Sequence, residues 1–132
     1  FLEGAGRGLT TVMGIEAPDR LVAALLAAGD EEVVLLTRAG QAIRFDQSEV
    51  RPMGLPAAGV AGIKMAEGDE VVAAGLVAAG AHVVVLTQKG YAKRTPVDDY
   101  PTQRRYGGGV GTLRKVRSRG GFPRRRSRCP RA

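Results

Sequence analysis

Histidine, cysteine and clustered carboxylates are the side chains that most often carry catalysis or hold metals, and this chain offers few of them. Its single histidine, His82, opens an apolar stretch with no second histidine or cysteine near it in sequence. A metal site or a nucleophile–base pair therefore has no support, and His82 reads as a partly buried strand residue. One cysteine, Cys129, excludes a disulfide framework and a cysteine-built metal cluster. The acidic pairs Glu31-Glu32 and Asp98-Asp99 fall in predicted loops, as solvated charge. Gly4-Ala5-Gly6-Arg7-Gly8 and Gly107-Gly108-Gly109-Val110-Gly111 look like phosphate-cradling loops only superficially, since neither stands between a strand and a helix in a βαβ unit. No catalytic residue, metal ligand or cofactor is expected.

Cations offer more. Gln103-Arg104-Arg105-Tyr106-Gly107-Gly108-Gly109 puts two guanidinium groups and an aromatic ring on a flexible loop, whose backbone amides can also approach a phosphate. Lys89, Lys93 and Arg94 cluster in the second half of the chain, and Arg38, Arg44 and Arg51 occupy related places in the first. Along one edge of stacked units they would form a track that binds a polyanion without reading sequence. The alternative is an ordinary solvated surface. The formal charge of the 132 residues is +7, but it is unevenly placed. Residues 1–112 hold 11 Lys+Arg against all 13 acids, a net of −2, and the last twenty hold nine cations and no acid. With 44% apolar and 25% charged residues the chain is neither collagenous nor wholly disordered, and it is long enough for one ordinary core. The stretches of low polarity, Leu21–Gly29 and Val71–Leu86, are too short or too mixed for a bilayer span, and no signal peptide is recognisable; a cytoplasmic location is expected. A start at Phe1 points to a piece of a longer polypeptide.

The elements that hold these groups follow from an internal repeat. At a shift of 50, Val33-Val34-Leu35-Leu36-Thr37-Arg38-Ala39-Gly40 lies over Val83-Val84-Val85-Leu86-Thr87-Gln88-Lys89-Gly90, and residues 19–44 match 69–94 at 13 of 26 positions. Gly59-Val60 is echoed by Gly109-Val110. Val33–Thr37 and Val83–Thr87 read as strands that end in tight turns, where Gly40 and Gly90 take the left-handed conformation. Gln41–Phe45 and Tyr91–Thr95 are the return strands. Leu21–Gly29 alone favours a helix, but its counterpart Val71–Val77 has three valines and a central glycine, so both are taken as strands. A fourth short strand is expected at Ala61–Met65. Fifty-residue units of four short strands predict an all-β, partial pinwheel or propeller-like array of four-stranded blades, with a small sandwich as the rival. The division is residues 1–8 as the end of a preceding blade, 9–58 and 59–108 as blades, 109–116 as the start of another, and 117–132 as a disordered basic tail.

The run from Leu35 to Gly54, with Ala42-Ile43-Arg44-Phe45 leading to Val50-Arg51-Pro52-Met53-Gly54, resembles the C-terminal β-pinwheel of the DNA gyrase A protein. So do Gly59-Val60-Ala61-Gly62-Ile63-Lys64 and Leu86–Pro96. The resemblance covers roughly residues 8–114. It implies a six-bladed propeller variant whose rim wraps duplex DNA without sequence preference, supporting ATP-dependent negative supercoiling. Its implied partners are the remaining blades and cleavage domain of the gyrase A protein, and the gyrase B protein, with no membrane contact. The implied DNA contacts are Arg38, Arg44, Arg51, Lys64, Lys89, Lys93, Arg94, Gln103, Arg104 and Arg105, and the turn glycines are Gly40, Gly59, Gly90 and Gly109. The less degenerate blades favour gyrase over topoisomerase IV, whose equivalent domain stays an alternative beside a protein-interaction scaffold.

Departures from the family pattern are equally local. Leu55 stands where an arginine is common, and Ala61 where another basic residue is. Gln103–Gly109 resembles the family's Gln-Arg-Arg-Gly-Gly-Lys-Gly wrapping box, with Tyr106 for a glycine and Gly108 for the lysine. The nucleophilic tyrosine and ATP site of the parent enzyme lie outside this chain, so Tyr91, Tyr100 and Tyr106 take no such role. Residues 114–132 do not resemble the family; they read as a DNA-gripping arm or as a chance, out-of-frame ending.

Overall fold

The computed structural model describes residues 11–113. Among them are six β-strands, two single 3-10 turns and no α-helix. β1 (Glu32–Thr37) and β2 (Gln41–Asp46) form an antiparallel hairpin, which the β-branched and aromatic residues Val33, Val34, Ile43 and Phe45 favour. Its turn closes through the Gly40 amide, which donates to the Thr37 carbonyl at 3.0 Å, with Gly40 at φ +82°. β4 (His82–Leu86) and β5 (Ala92–Pro96) form the second hairpin, and there the Gly90 amide donates to the Thr87 carbonyl at 2.9 Å. Each hairpin runs into a 3-10 turn, Gln47–Glu49 or Val97–Asp99, whose first amide donates back to the carbonyl of Glu31 or Ala81, in both cases at 3.0 Å. The repeat of 50 thus extends from residue types to single hydrogen bonds.

β3 (Val71–Leu76) adds antiparallel to the outer edge of β1, and β6 (Val110–Gly111) to the outer edge of β2, giving the sheet order β3-β1-β2-β6. This four-stranded sheet takes two strands from the first repeat, one from the second and one from beyond it. β4 and β5 stand as a two-stranded sheet among the described residues. The core lies on the complete sheet, where Ile43, Phe45 and Ile63 are buried together and Val33, Leu35, Val50 and Val71 pack around them.

Four expectations need correction. Leu21–Gly29 is not a strand: it runs as exposed, irregular chain. A strand persists only when its backbone groups are paired, and β3, its counterpart in the repeat, has β1 beside it, whereas no described residue pairs with 21–29. Ala61–Met65 is irregular as well. It shares two backbone bonds with the glycine-rich loop, from the Lys64 amide to the Gly107 carbonyl (2.9 Å) and from the Tyr106 amide to the Gly62 carbonyl (2.8 Å), which do not make a ladder. Glu32 is not loop charge but the first residue of β1. His82 is exposed at the head of β4, because no third strand covers that edge among the described residues. Residues 1–8 and the basic tail 117–132 lie outside the described residues.

Candidate nucleic-acid interface

Arg44 sits in the middle of β2 and reaches across to Glu32 on β1. Their side chains are 15% and 23% exposed. The Arg44 Nε donates to Glu32 Oε2 at 2.8 Å and a second guanidinium nitrogen reaches the same carboxylate. Arg44 Nη1 also donates to the carbonyls of Val97 (3.1 Å) and Tyr100 (3.4 Å), and lies 3.6 Å from Asp98. Thr102 Oγ1 donates to the other Glu32 oxygen at 2.6 Å. The Arg44 hydrogen bonds hold the Glu32 carboxyl below its ordinary pKa, outweighing the opposing effect of burial, and Glu32 in turn raises Arg44. Arg44 is therefore engaged in tying the first hairpin to the turn after the second. Its repeat counterpart Arg94 lies against the His82 ring, at 3.1 Å, and stays exposed. The register accounts for the Glu32 contact: Val34 opposes Arg44, so Glu32 is its diagonal neighbour on the same face.

The Gln103–Gly109 segment is less free than its glycines imply. The Gln103 amide donates to the Arg44 carbonyl (2.7 Å), the Arg105 amide to Glu49 Oε2 (2.6 Å) and the Gly107 amide to the Arg104 carbonyl (3.2 Å). The Arg105 guanidinium donates to the carbonyls of Glu49 (3.2 Å) and Ala61 (2.5 Å). A Cβ at Gly107 would stand 2.8 Å from the Gln103 side chain and 3.3 Å from Ile43, and one at Gly109 would stand 2.6 Å from the Ala42 carbonyl oxygen. Close packing on β2, rather than an open loop, demands these two glycines. The expectation of a flexible loop offering its amides is corrected accordingly: Arg104 and Gly108 face outward, while Gln103 and Arg105 are built in.

The two hairpin tips converge on the segment after β6. The Thr112 amide and hydroxyl both donate to the Gly40 carbonyl at 2.8 Å, and Lys93 Nζ donates to the Thr112 carbonyl at 2.7 Å. A groove of about 770 Å³ opens there between the first sheet and β4, and its charged lining is Arg20, Arg38, Glu70 and Lys89, with Tyr91 beside them. Arg38 and Arg20 both pair with Glu70, Arg20 at 3.3 Å, so one carboxylate serves two cations. The Asp69 carboxyl anchors the turn: burial raises its pKa, but the Thr37 hydroxyl, the amides of Ala39 and Glu70, and nearby Arg38 together bring it below the usual range. Arg20 was not foreseen as a site residue. The repeat contained the signal, because Arg20 and Glu70 are the same position in successive units. Arg51, Lys64, Lys89 and Arg104 are exposed and have no side-chain partner among the described residues. The candidate cations thus divide into a set around Thr112, outward single charges, Arg94 against His82, and Arg44 and Arg105, whose guanidinium groups are held by protein acceptors.

Among the described residues no group of histidine, cysteine, aspartate and glutamate is arranged to hold a metal ion, and no helix is long and apolar enough to cross a membrane. Residues 31–78 and 81–115 match the family model of the DNA gyrase C-terminal domain, beta-propeller. The chain is 42% identical over 103 residues to the DNA gyrase A protein of Salmonella typhimurium, a match covering 78% of this chain and 12% of that protein. It is 45% identical over 98 residues to the DNA gyrase A protein of Staphylococcus aureus, covering 71% and 11% respectively. The chain therefore spans about an eighth or less of the curated relatives it matches. Among solved structures it resembles the C-terminal domain of DNA topoisomerase IV with a TM-score of 0.75 at 33% identity, covering 81% of this chain and 33% of that one. It also resembles the DNA gyrase A C-terminal domain with a TM-score of 0.69 at 27% identity, covering 75% and 34%. Blade-like antiparallel sheets, the fifty-residue repeat and these matches agree: the chain belongs to the DNA gyrase C-terminal β-propeller family.

Proposed function

We propose that this chain is part of the DNA-wrapping surface of a gyrase A protein, binding duplex DNA through its phosphates, without sequence preference and without reaction chemistry of its own. In this reading the blades are residues 9–58 and 59–108, and the chain acts with the other blades and cleavage domain of gyrase A and with the gyrase B protein. It serves ATP-dependent supercoiling in the bacterial cytoplasm. The observation that carries the reading is the partition of cations: Lys89, Arg104, Arg51 and Lys64 project without a side-chain partner among the described residues, and Arg38, Lys93 and Arg20 gather near the hairpin tips. Charges so placed on a body of net −2 form a local track rather than a uniformly basic surface. Phosphate neutralisation by such groups releases counterions, so affinity falls with salt, by a slope of about 0.9 per phosphate contact.

The test is duplex affinity of the full 132-residue chain across a salt series. Lys89→Gln and Arg104→Gln should each weaken binding to unrelated sequences alike, and each should lower the salt slope by about one. If neither moves the slope, the DNA track is wrong and the binding belongs elsewhere.

A further inference from the structure

We infer that Arg20 and Arg38 together form a receptor for one phosphate group of duplex DNA, and that Glu70 is its built-in rival, occupying both guanidinium groups until a phosphate displaces it. This rests on the phosphate-binding reading above and names one place where it acts. Both arginines direct an Nη2 nitrogen at a single atom, Glu70 Oε1, Arg20 from 3.3 Å and Arg38 from closer still. Two guanidinium groups converging on one anionic oxygen is an arrangement that suits a phosphate oxygen equally. The carboxylate stands where a ligand anion would stand.

The site is open to an incoming anion. The side chains of Arg20 and Arg38 are 71% and 66% exposed, and that of Glu70 is 38% exposed. Ion pairs in contact with solvent are weak, so a second anion can part this one. A phosphodiester carries two unesterified oxygens on one centre, so each arginine can take an oxygen of its own instead of sharing Oε1. Lys89 lines the same groove, whose charged lining therefore stays net positive even with Glu70 ionised.

The Glu70 carboxylate is not what holds the chain here. The Glu70 amide donates to Asp69 Oδ1 at 2.9 Å, and the Glu70 carbonyl accepts from the Arg38 amide at 2.8 Å, so other groups fix its main chain. The repeat separates the two roles. Asp69 has Asp19 at its place in the first unit, whereas the next position is Arg20 in one unit and Glu70 in the other. A position that reverses its charge beside an aspartate common to both units carries something other than the turn. The same shift puts Gln88 at the place of Arg38, so the two arginines with their carboxylate occur together once among the described residues.

Two titrations of the full 132-residue chain test this, each read on the side-chain Nε–Hε NMR signals of Arg20 and Arg38. Inorganic phosphate should move both signals with one dissociation constant, and Glu70→Gln should lower that constant about threefold, as loss of an exposed ion pair allows. Duplex DNA should move the same two signals. Glu70→Gln should raise duplex affinity by a similar factor and steepen its salt dependence by about one, because no displaced carboxylate then has to recover a counterion. Glu67→Gln removes a nearby exposed carboxylate that has no side-chain partner among the described residues, and should change either constant less. With both arginines replaced by glutamine, Glu70→Gln should give no gain. Phosphate that moves neither arginine, a gain equalled by Glu67→Gln, or a gain that survives the loss of both arginines overturns the inference. Signals that respond to phosphate but not to duplex overturn the assignment to DNA. Failure of the wider DNA track shows separately, as an unmoved salt slope in Lys89→Gln and Arg104→Gln, and the phosphate titration still decides this site.

Discussion

Arg44 and Arg94 hold the same place in two copies of one unit, yet only the first is enclosed. Two things differ: Glu32 stands on the facing strand in the first copy and His82 in the second, and the Val97–Tyr100 turn closes over Arg44 alone. Because the Glu32 carboxyl is held below the pKa of an unfolded glutamate, about 4.3, its contribution is fully present above that pH and is lost as pH falls through the lower, folded value. Glu32→Gln is expected to cost about 1–2 kcal/mol at neutral pH, the worth of charge-assisted hydrogen bonds at a half-buried site. That cost should shrink as denaturation is repeated at decreasing pH below about 4.3. Chemical denaturation at a series of pH values checks both; a penalty independent of pH would mean that the pair contributes shape rather than charge. The sequence shows the cations readily but not which are engaged, since engagement depends on cross-strand neighbours such as Thr102 that arrive from far along the chain.

Gly59 and Gly109 show the same divergence at the level of an element. Both have positive φ, +80° and +68°, and the repeat aligns them. A Cβ at Gly59 meets nothing within 4 Å, whereas at Gly109 it would strike the Ala42 carbonyl of β2 at 2.6 Å, where β6 begins. Gly59→Ala should cost about 1–2 kcal/mol, the left-handed penalty alone. Gly109→Ala should cost about 3 kcal/mol or more, because the β2–β6 approach must also give way. Thermal denaturation of the two variants side by side measures the gap, and equal losses would refute the packing argument. Hairpins were the legible elements, because Thr37–Gly40 and Thr87–Gly90 carry their own turn chemistry and need no distant partner. Leu21–Gly29 and Ala61–Met65 were not, because pattern marks which residues can pair and says nothing of whether a partner stands opposite. For the same reason a period of 50 reveals that units are alike, but not that β3 and β6 complete the sheet begun by β1 and β2.

The described residues unite one four-stranded sheet with one hairpin that no third strand among them covers, and stability should follow that asymmetry. In repeat arrays each unit is stabilised mainly by its neighbours, so the β4–β5 hairpin is expected to melt more easily than the β3-β1-β2-β6 sheet. Calorimetry checks this, and a single cooperative transition at high temperature would contradict it. The interleaving of strands also governs the order of events during synthesis. The β1–β2 hairpin is local and can form as soon as residue 46 is free, but β3 must wait for Leu76 and β6 for Gly111 before the edges of that hairpin are sealed. Pairing Ala42 with Val110 is a distant closure, which slows folding relative to a locally connected sheet. Until the ribosome has delivered that last pair of residues, the nascent chain carries an unsealed sheet edge, and it is then that it most needs shielding from other chains.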